Sequence, residues 1–259
     1  MPVHMIAARR LHYRAIPGNA ARAPLVFLHE GLGSAELWRD FPDRLAARTG
    51  ARALLYSRFG YGHSDGLTGK RTPQFMHEEA LSVLPALLAA TGVETPLLVG
   101  HSDGASIALI HAARARRPVT GLVLMAPHVF VESVCLQSIA KIREAYLKSA
   151  SAADGLKRRL AKYHARVDDA FLGWADAWLD PGFRAWSIED LIGAITAPML
   201  LIQGRDDEYG TLAQLDRIEA RAAGRVSRLV LDACGHAPHR DREAAVLEAI
   251  AVFAGVQVQ

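Results

Sequence analysis

No stretch of about 18 consecutive apolar residues occurs in this 259-residue sequence, so it offers no membrane-spanning helix. The first ten residues, Met-Pro-Val-His-Met-Ile-Ala-Ala-Arg-Arg, lack the apolar centre of a secretory leader. Cysteine is scarce: Cys135 and Cys234 are too few for a disulfide framework and have no metal-ligand spacing. A reducing, cytoplasmic setting without a membrane partner is the expectation. Charge of one sign is also missing, since the net charge is only +3 and the basic residues are scattered. The longest basic cluster, Lys157-Arg158-Arg159, is too short for a nucleic-acid stripe, so no nucleic-acid partner is expected. No glycine-rich phosphate loop follows a strand, and no histidine–carboxylate group has metal spacing. Cofactor and metal are therefore both expected to be none. Repeats and low-complexity linkers are absent as well.

What is present centres on Pro96-Leu-Leu-Val-Gly-His-Ser-Asp-Gly104. Leu97-Leu98-Val99 is the short apolar run of a buried parallel strand, and an alanine-rich helical pattern starts at Ala105. A Gly-x-Ser-x-Gly turn between strand and helix is a nucleophile elbow. Its geometry projects the serine hydroxyl above the sheet edge, and the flanking glycines have no Cβ to collide with their neighbours. Ser102 would sit at a helix N-terminus, where free N–H groups favour developing negative charge.

Strand and helix patterns alternate along most of the chain. One or two edge strands precede Pro17-Gly18-Asn19, a buried strand is expected at 25–28, and further strands at 53–56, 119–125, 198–202 and 226–231. Helices are expected over 35–49, about 73–91, around 211–223 and from about 241 to 254. Alternation fails over 128–190, which contains no convincing strand and several helical stretches. The fold class is therefore α/β: a mostly parallel eight-stranded sheet with helices on both faces. Residues 1–127 and 191–259 form the core, and 128–190 form a helical cap inserted in it. In such sheets ligands bind beyond the carboxyl ends of the strands. His29, Ser102, Asp207 and His236 each fall just after an expected strand, on that one rim.

Five motifs in order carry a resemblance: Leu28-His-Glu-Gly-Leu-Gly33, Ser57-Arg-Phe-Gly-Tyr-Gly-His-Ser64, Gly100-His-Ser-Asp-Gly104, Gly204-Arg-Asp-Asp207 and Cys234-Gly-His236. With them the chain resembles a helical-cap serine hydrolase of the α/β-hydrolase superfamily over nearly its full length. The order serine, acid, histidine is also that superfamily's order. The resemblance implies Ser102 as nucleophile, His236 as general base and then acid, and Asp207 rather than Asp206 as the carboxylate orienting His236. It implies an oxyanion hole made by the backbone N–H groups of Gly31 and Asp103. Glu30 stands where the superfamily usually has glycine. His29 and the 57–64 loop are expected to brace that region, and His239 is expected on the surface.

The 128–190 segment holds three of the four tryptophans. Most of its aromatics should pack the cap onto the core. Trp174 and Trp178, four residues apart on one helix face, are candidates to line the substrate pocket together with Glu30. The activity implied is cofactor-independent hydrolysis of a small ester, thioester or related acyl compound, with C–C bond hydrolysis, acyl transfer or lyase chemistry as alternatives on the same residues. A non-catalytic ligand receptor is the remaining reading. A small-molecule substrate and a possible homodimer are the partner expectations. The carboxylates Glu30 and Asp103 either face the pocket and repel anionic substrates or turn away to brace loops, and the sequence leaves both open.

Overall fold

The computed structural model describes residues 2–115, 117–148 and 154–256. Its strands are β1 (Val3–Ile6), β2 (Arg9–Ile16), β3 (Leu25–Leu28), β4 (Ala53–Tyr56), β5 (Leu97–His101), β6 (Gly121–Met125), β7 (Met199–Gly204) and β8 (Val226–Leu231). They form one eight-stranded sheet in the order β1-β2-β4-β3-β5-β6-β7-β8. The pairs from β4 to β8 are parallel, and only β1 and β2 join antiparallel. Each inner strand from β3 to β7 is buried along its whole length, which is why these segments read as unbroken apolar runs.

Side chains alternate across the sheet into two cores. Val26, Leu28, Leu98, Leu122, Leu124 and Leu201 pack on one face, beneath α2 (Phe75–Glu78), α3 (Leu84–Ala90), α4 (Asp103–Arg114) and α8 (Ala213–Arg221). Leu25, Phe27, Leu55, Val99, Val123 and Ile202 face the other way, against α1 (Phe41–Thr49) and α10 (Glu243–Val256). Burying each such residue stabilises the fold by roughly 1.5–3 kcal/mol before the entropy of ordering it is counted.

Three helical expectations change in detail. The 35–49 stretch is a single turn, Glu36–Trp38, followed by α1, because Arg39 turns to a φ of 54° and ends the first turn. The 73–91 stretch is α2 and α3 joined by a π turn over Glu79–Val83. Pro85, just inside α3, has no N–H for the carbonyl four residues earlier, and the widened turn lies immediately before it. The terminal helix is preceded by a separate short helix, α9 (Pro238–Asp241). Between β6 and β7 lie α5 (Ser133–Lys148), α6 (Leu156–Leu160) and α7 (Val167–Leu179) with short turns, plus one isolated bridge between Phe130 and Ser187. Residues 149–153 of the expected helical segment lie outside the described residues.

The chain reverses its direction of travel across the sheet at β3, which pairs with β4 on one side and β5 on the other. The loops after β3 and β5 therefore part at the sheet's carboxyl edge and leave a crevice. Ser102 stands at this edge in a left-handed conformation (φ 54°, ψ −120°) that costs a non-glycine residue about 1–3 kcal/mol. Helix α4 comes so close to β3 that a Cβ on Gly104 would lie 2.0 Å from the Leu28 carbonyl oxygen.

Gly104→Ala should consequently destabilise the protein despite alanine's helix preference of about 1 kcal/mol. Overpacking against backbone costs roughly 1–3 kcal/mol or more. Gly50→Ala meets no neighbour within 4 Å and pays only for its positive φ, about 1–2 kcal/mol. In thermal unfolding Gly104→Ala should lose more than Gly50→Ala, and the reverse order would contradict the close approach.

Candidate active site

Three residues from distant parts of the chain meet above the sheet. His236 Nε2 lies 2.9 Å from Ser102 Oγ, and His236 Nδ1 lies 2.8 Å from Asp207 Oδ1. With the Nδ1 proton donated to the carboxylate, Nε2 is left to accept the serine hydroxyl proton. Asp207 follows β7 and is held in turn: Oδ1 accepts from the Tyr209 and Gly210 N–H groups, and Oδ2 accepts from Gln203 Nε2. Asp206 is exposed, and the carboxylate bonded to His236 is that of Asp207. The His236 loop is anchored through its backbone, with His101 Nε2 donating to the His236 carbonyl at 2.6 Å and Glu208 accepting from the His236 N–H.

The electrostatics suit proton transfer. Burial opposes a charged His236, but the Asp207 charge and hydrogen bond, aided by Glu208 and Glu30, outweigh it and raise its pKa above the ordinary value. Asp207 moves the opposite way: burial disfavours its charge, and His236 and the backbone donors more than compensate. His128, beside His236, is pushed down to about 3, chiefly by burial, and so stays neutral.

The loop after β3 is pinned from below and above. His29 donates from Nδ1 to the Glu30 carbonyl at 2.7 Å and accepts the Arg58 N–H at Nε2. The buried Arg58 guanidinium donates to the His29 and Glu30 carbonyls and lies 3.7 Å from Asp103 Oδ2. From the helical side, His164 accepts the Gly62 N–H at Nδ1 and donates from Nε2 to the Leu32 carbonyl. Burial holds the His164 pKa below its usual value, in keeping with that neutral, two-way role. Among the described residues, neither the Gly31 nor the Asp103 backbone N–H is donated to another group. Both residues line the cavity that contains Ser102 and His236.

That cavity holds about 110 Å³, well below the roughly 300–1,000 Å³ of sites that enclose drug-sized ligands. Larger clefts exist, including one of 600 Å³ along β2 and β4, but Ser102 does not line them. Trp174, Trp178, Cys135 and Ile139 from α5 and α7 form its roof, and His128 and Tyr209 close a side. Glu30 and Asp103, whose orientation the sequence left open, do both things at once. Each lines the cavity, while Asp103 also accepts from Trp178 Nε1 at 3.1 Å and Glu30 faces His101 Nδ1 at 3.7 Å. Most of the other aromatics pack within the helical segment, as in the stack of Tyr146 on Phe171 at 3.8 Å.

One expectation is corrected. His239 is not on the surface but 4 % exposed, wedged against Trp38, Phe41 and His101, because α9 turns its first residues inward under the His236 loop. His128 was not singled out from the sequence, although it follows β6 directly and so sits on the same rim as the other candidates. Cys135 and Ile139 carried no comparable signal. Among the described residues no group of three or more histidine, cysteine, aspartate or glutamate side chains has the spacing to hold a metal ion. None of the described helices is long and apolar enough to cross a membrane.

The strand order and the strand–serine–helix turn define an α/β-hydrolase fold. The chain belongs to the Alpha/beta hydrolase family, whose profile matches residues 25–249. It is 30% identical over 115 residues to a mouse (lyso)-N-acylphosphatidylethanolamine lipase, covering 44% of this chain and 33% of the relative. It is 29% identical over 100 residues to the proline iminopeptidase of Lactobacillus helveticus, covering 39% and 34%. The matched stretch thus spans about a third of these relatives' length. The enol-lactonase of Burkholderia xenovorans superposes with a TM-score of 0.77 at 20% identity, over 98% of this chain and 100% of that one.

If Asp207 raises the His236 pKa, Asp207→Asn should lower it below the ordinary value of about 6.5, because burial then dominates. Asp206→Asn should leave it in place. An NMR titration of the His236 ring protons measures both, and an unmoved midpoint in Asp207→Asn would contradict the assignment.

Proposed function

We propose that the chain is a cofactor-independent serine hydrolase of small carboxylic esters, thioesters or related acyl compounds. The observation that carries this reading is the hydrogen-bonded run Ser102–His236–Asp207 opening on a small cavity beside two undonated backbone N–H groups. Ser102 Oγ attacks the carbonyl carbon as His236 Nε2 takes its proton, and the carbonyl π pair moves onto oxygen. The N–H groups of Gly31 and Asp103 hold that oxyanion. When the pair returns, the bond to the alkoxide or thiolate breaks, and the leaving group takes the proton from His236. Water then repeats the sequence against the acyl-enzyme: it gives a proton to His236, and Ser102 recovers one as the acid departs.

The helical segment between β6 and β7 acts as a cap in this reading, supplying the roof that excludes water from the acyl group. The cavity's size favours a short acyl chain. The two wall carboxylates favour neutral or amino-bearing acyl groups, and the proline iminopeptidase relative makes an amino-terminal amide a second candidate substrate. Asp103 is partly offset by Arg58, so Glu30 carries most of this discrimination.

A fluorophosphonate probe should label Ser102 and no other serine, and Ser102→Ala should abolish labelling and lower ester turnover by several powers of ten. His236 must be neutral to accept the proton, so kcat/KM should fall as pH drops through a midpoint above about 6.5. Labelling at another serine would sink the mechanism.

Esters of one alcohol separate the substrate readings. A free carboxylate on the acyl group should reduce kcat/KM roughly tenfold or more relative to a neutral isostere, from like charge at short range. A preference for the carboxylate-bearing ester would instead favour the C–C hydrolase alternative.

A further inference from the structure

Trp174 and Trp178 stand one turn apart on α7, yet their indole N–H groups end differently. Trp178 Nε1 donates to Asp103 Oδ1. Trp174 Nε1 donates to no described residue, although the side chain is only 6 % exposed. The ring lines the cavity that holds Ser102, and Nε1 lies so close to Gly31 that a Cβ there would approach it to 2.1 Å. Unlike the sealed-off Nε1 atoms of Trp38 and Trp186, this one keeps access to the cavity. An indole N–H is a donor only, so whatever fills the cavity must offer it an acceptor or leave it unmade.

The reacting groups decide which atom that is. A substrate carbonyl oxygen at the Gly31 N–H brings the atoms around its carbon beside the Trp174 ring. The leaving-group oxygen has to face His236, which protonates it, so the acyl chain is the part left for Trp174. A charged acceptor is disfavoured by Glu30 and Asp103 on the same wall. The geometry points to Trp174 Nε1 as a specificity donor that selects acyl groups with an uncharged oxygen two bonds from the reacting carbon, as in an alkoxyacetyl group. This rests on the acyl-enzyme reading above. In a cavity of about 110 Å³ the exchange of one methylene for oxygen keeps the shape and changes only the acceptor.

The test compares p-nitrophenyl methoxyacetate with p-nitrophenyl butyrate, each kcat/KM divided by that ester's rate with hydroxide to remove intrinsic reactivity. The wild type should favour methoxyacetate about three- to tenfold, the worth of one neutral hydrogen bond. Trp174→Phe keeps a ring without the N–H and should bring the ratio near one. Because the readout is a ratio, a general loss of activity cancels. A second readout needs no turnover: the Trp174 indole 1H–15N signal, assigned by its loss in Trp174→Phe, should move on adding methoxyacetamide and not butyramide. A corrected wild-type ratio near one, a ratio unchanged in Trp174→Phe, or equal signal shifts with both amides would overturn the inference. Selective signal movement in a protein that hydrolyses neither ester would uphold the donor and overturn the acyl-enzyme reading instead.

Discussion

The contact on which the rest depends is the approach of α4 to the end of β3, where Gly104 meets the Leu28 carbonyl with no room for a side chain. That closeness forces the turn after β5 to be tight and leaves Ser102 at φ 54°. The strain is local and is outweighed by the two cores that clamp β5 and α4 in place. A serine so placed has little freedom, and its hydroxyl has one direction to point, out over the carboxyl edge. Loops after β3, β6, β7 and β8 then need only reach the same edge to surround it.

Reaching that edge requires polar groups to be buried, and the chain satisfies them through backbone as much as through side chains. Arg58 holds two carbonyls of the loop after β3, His164 holds a third, and His101 holds the carbonyl of His236. Each donor comes from a different segment, so the loop after β3 is tied to the loop after β4 and to the helical segment, while the end of β5 is tied to the last loop. Asp103 belongs to the same construction: its carboxylate meets Arg58 from below and Trp178 from above. The residue proposed to offer an oxyanion donor through its backbone is therefore also the one that ties core to roof through its side chain.

The two tryptophans of α7 show how one helix face serves two purposes. Trp178 is 1 % exposed and spends its N–H on Asp103, so it is structural in packing and in hydrogen bonding. Trp174 packs nearly as well but keeps its N–H for the cavity. Four residues of spacing put both on the face turned to the core. Which of them faces a protein acceptor depends on what lies below each one.

The sheet was legible in the sequence because strands buried on both faces leave unbroken apolar runs, and β3 through β7 fall where those runs are. The rim position of Ser102 and Asp207 was legible for a related reason, since chain order places each just after such a run, while His236 follows the partly exposed edge strand β8. Local breaks were less visible, since the turn at Arg39 and the π turn before Pro85 depend on how the helices dock. Residues without a motif were not visible at all. His239 looked like a surface histidine and is buried, His128 and Cys135 enter the cavity wall, and Glu30 and Asp103 had two possible orientations. Periodicity and order along the chain are properties of short segments, and they determined the fold class and which loops meet. Side-chain direction, hydrogen-bond partners and cavity size arise only when segments some hundred residues apart are packed together, so the tertiary structure alone decided them.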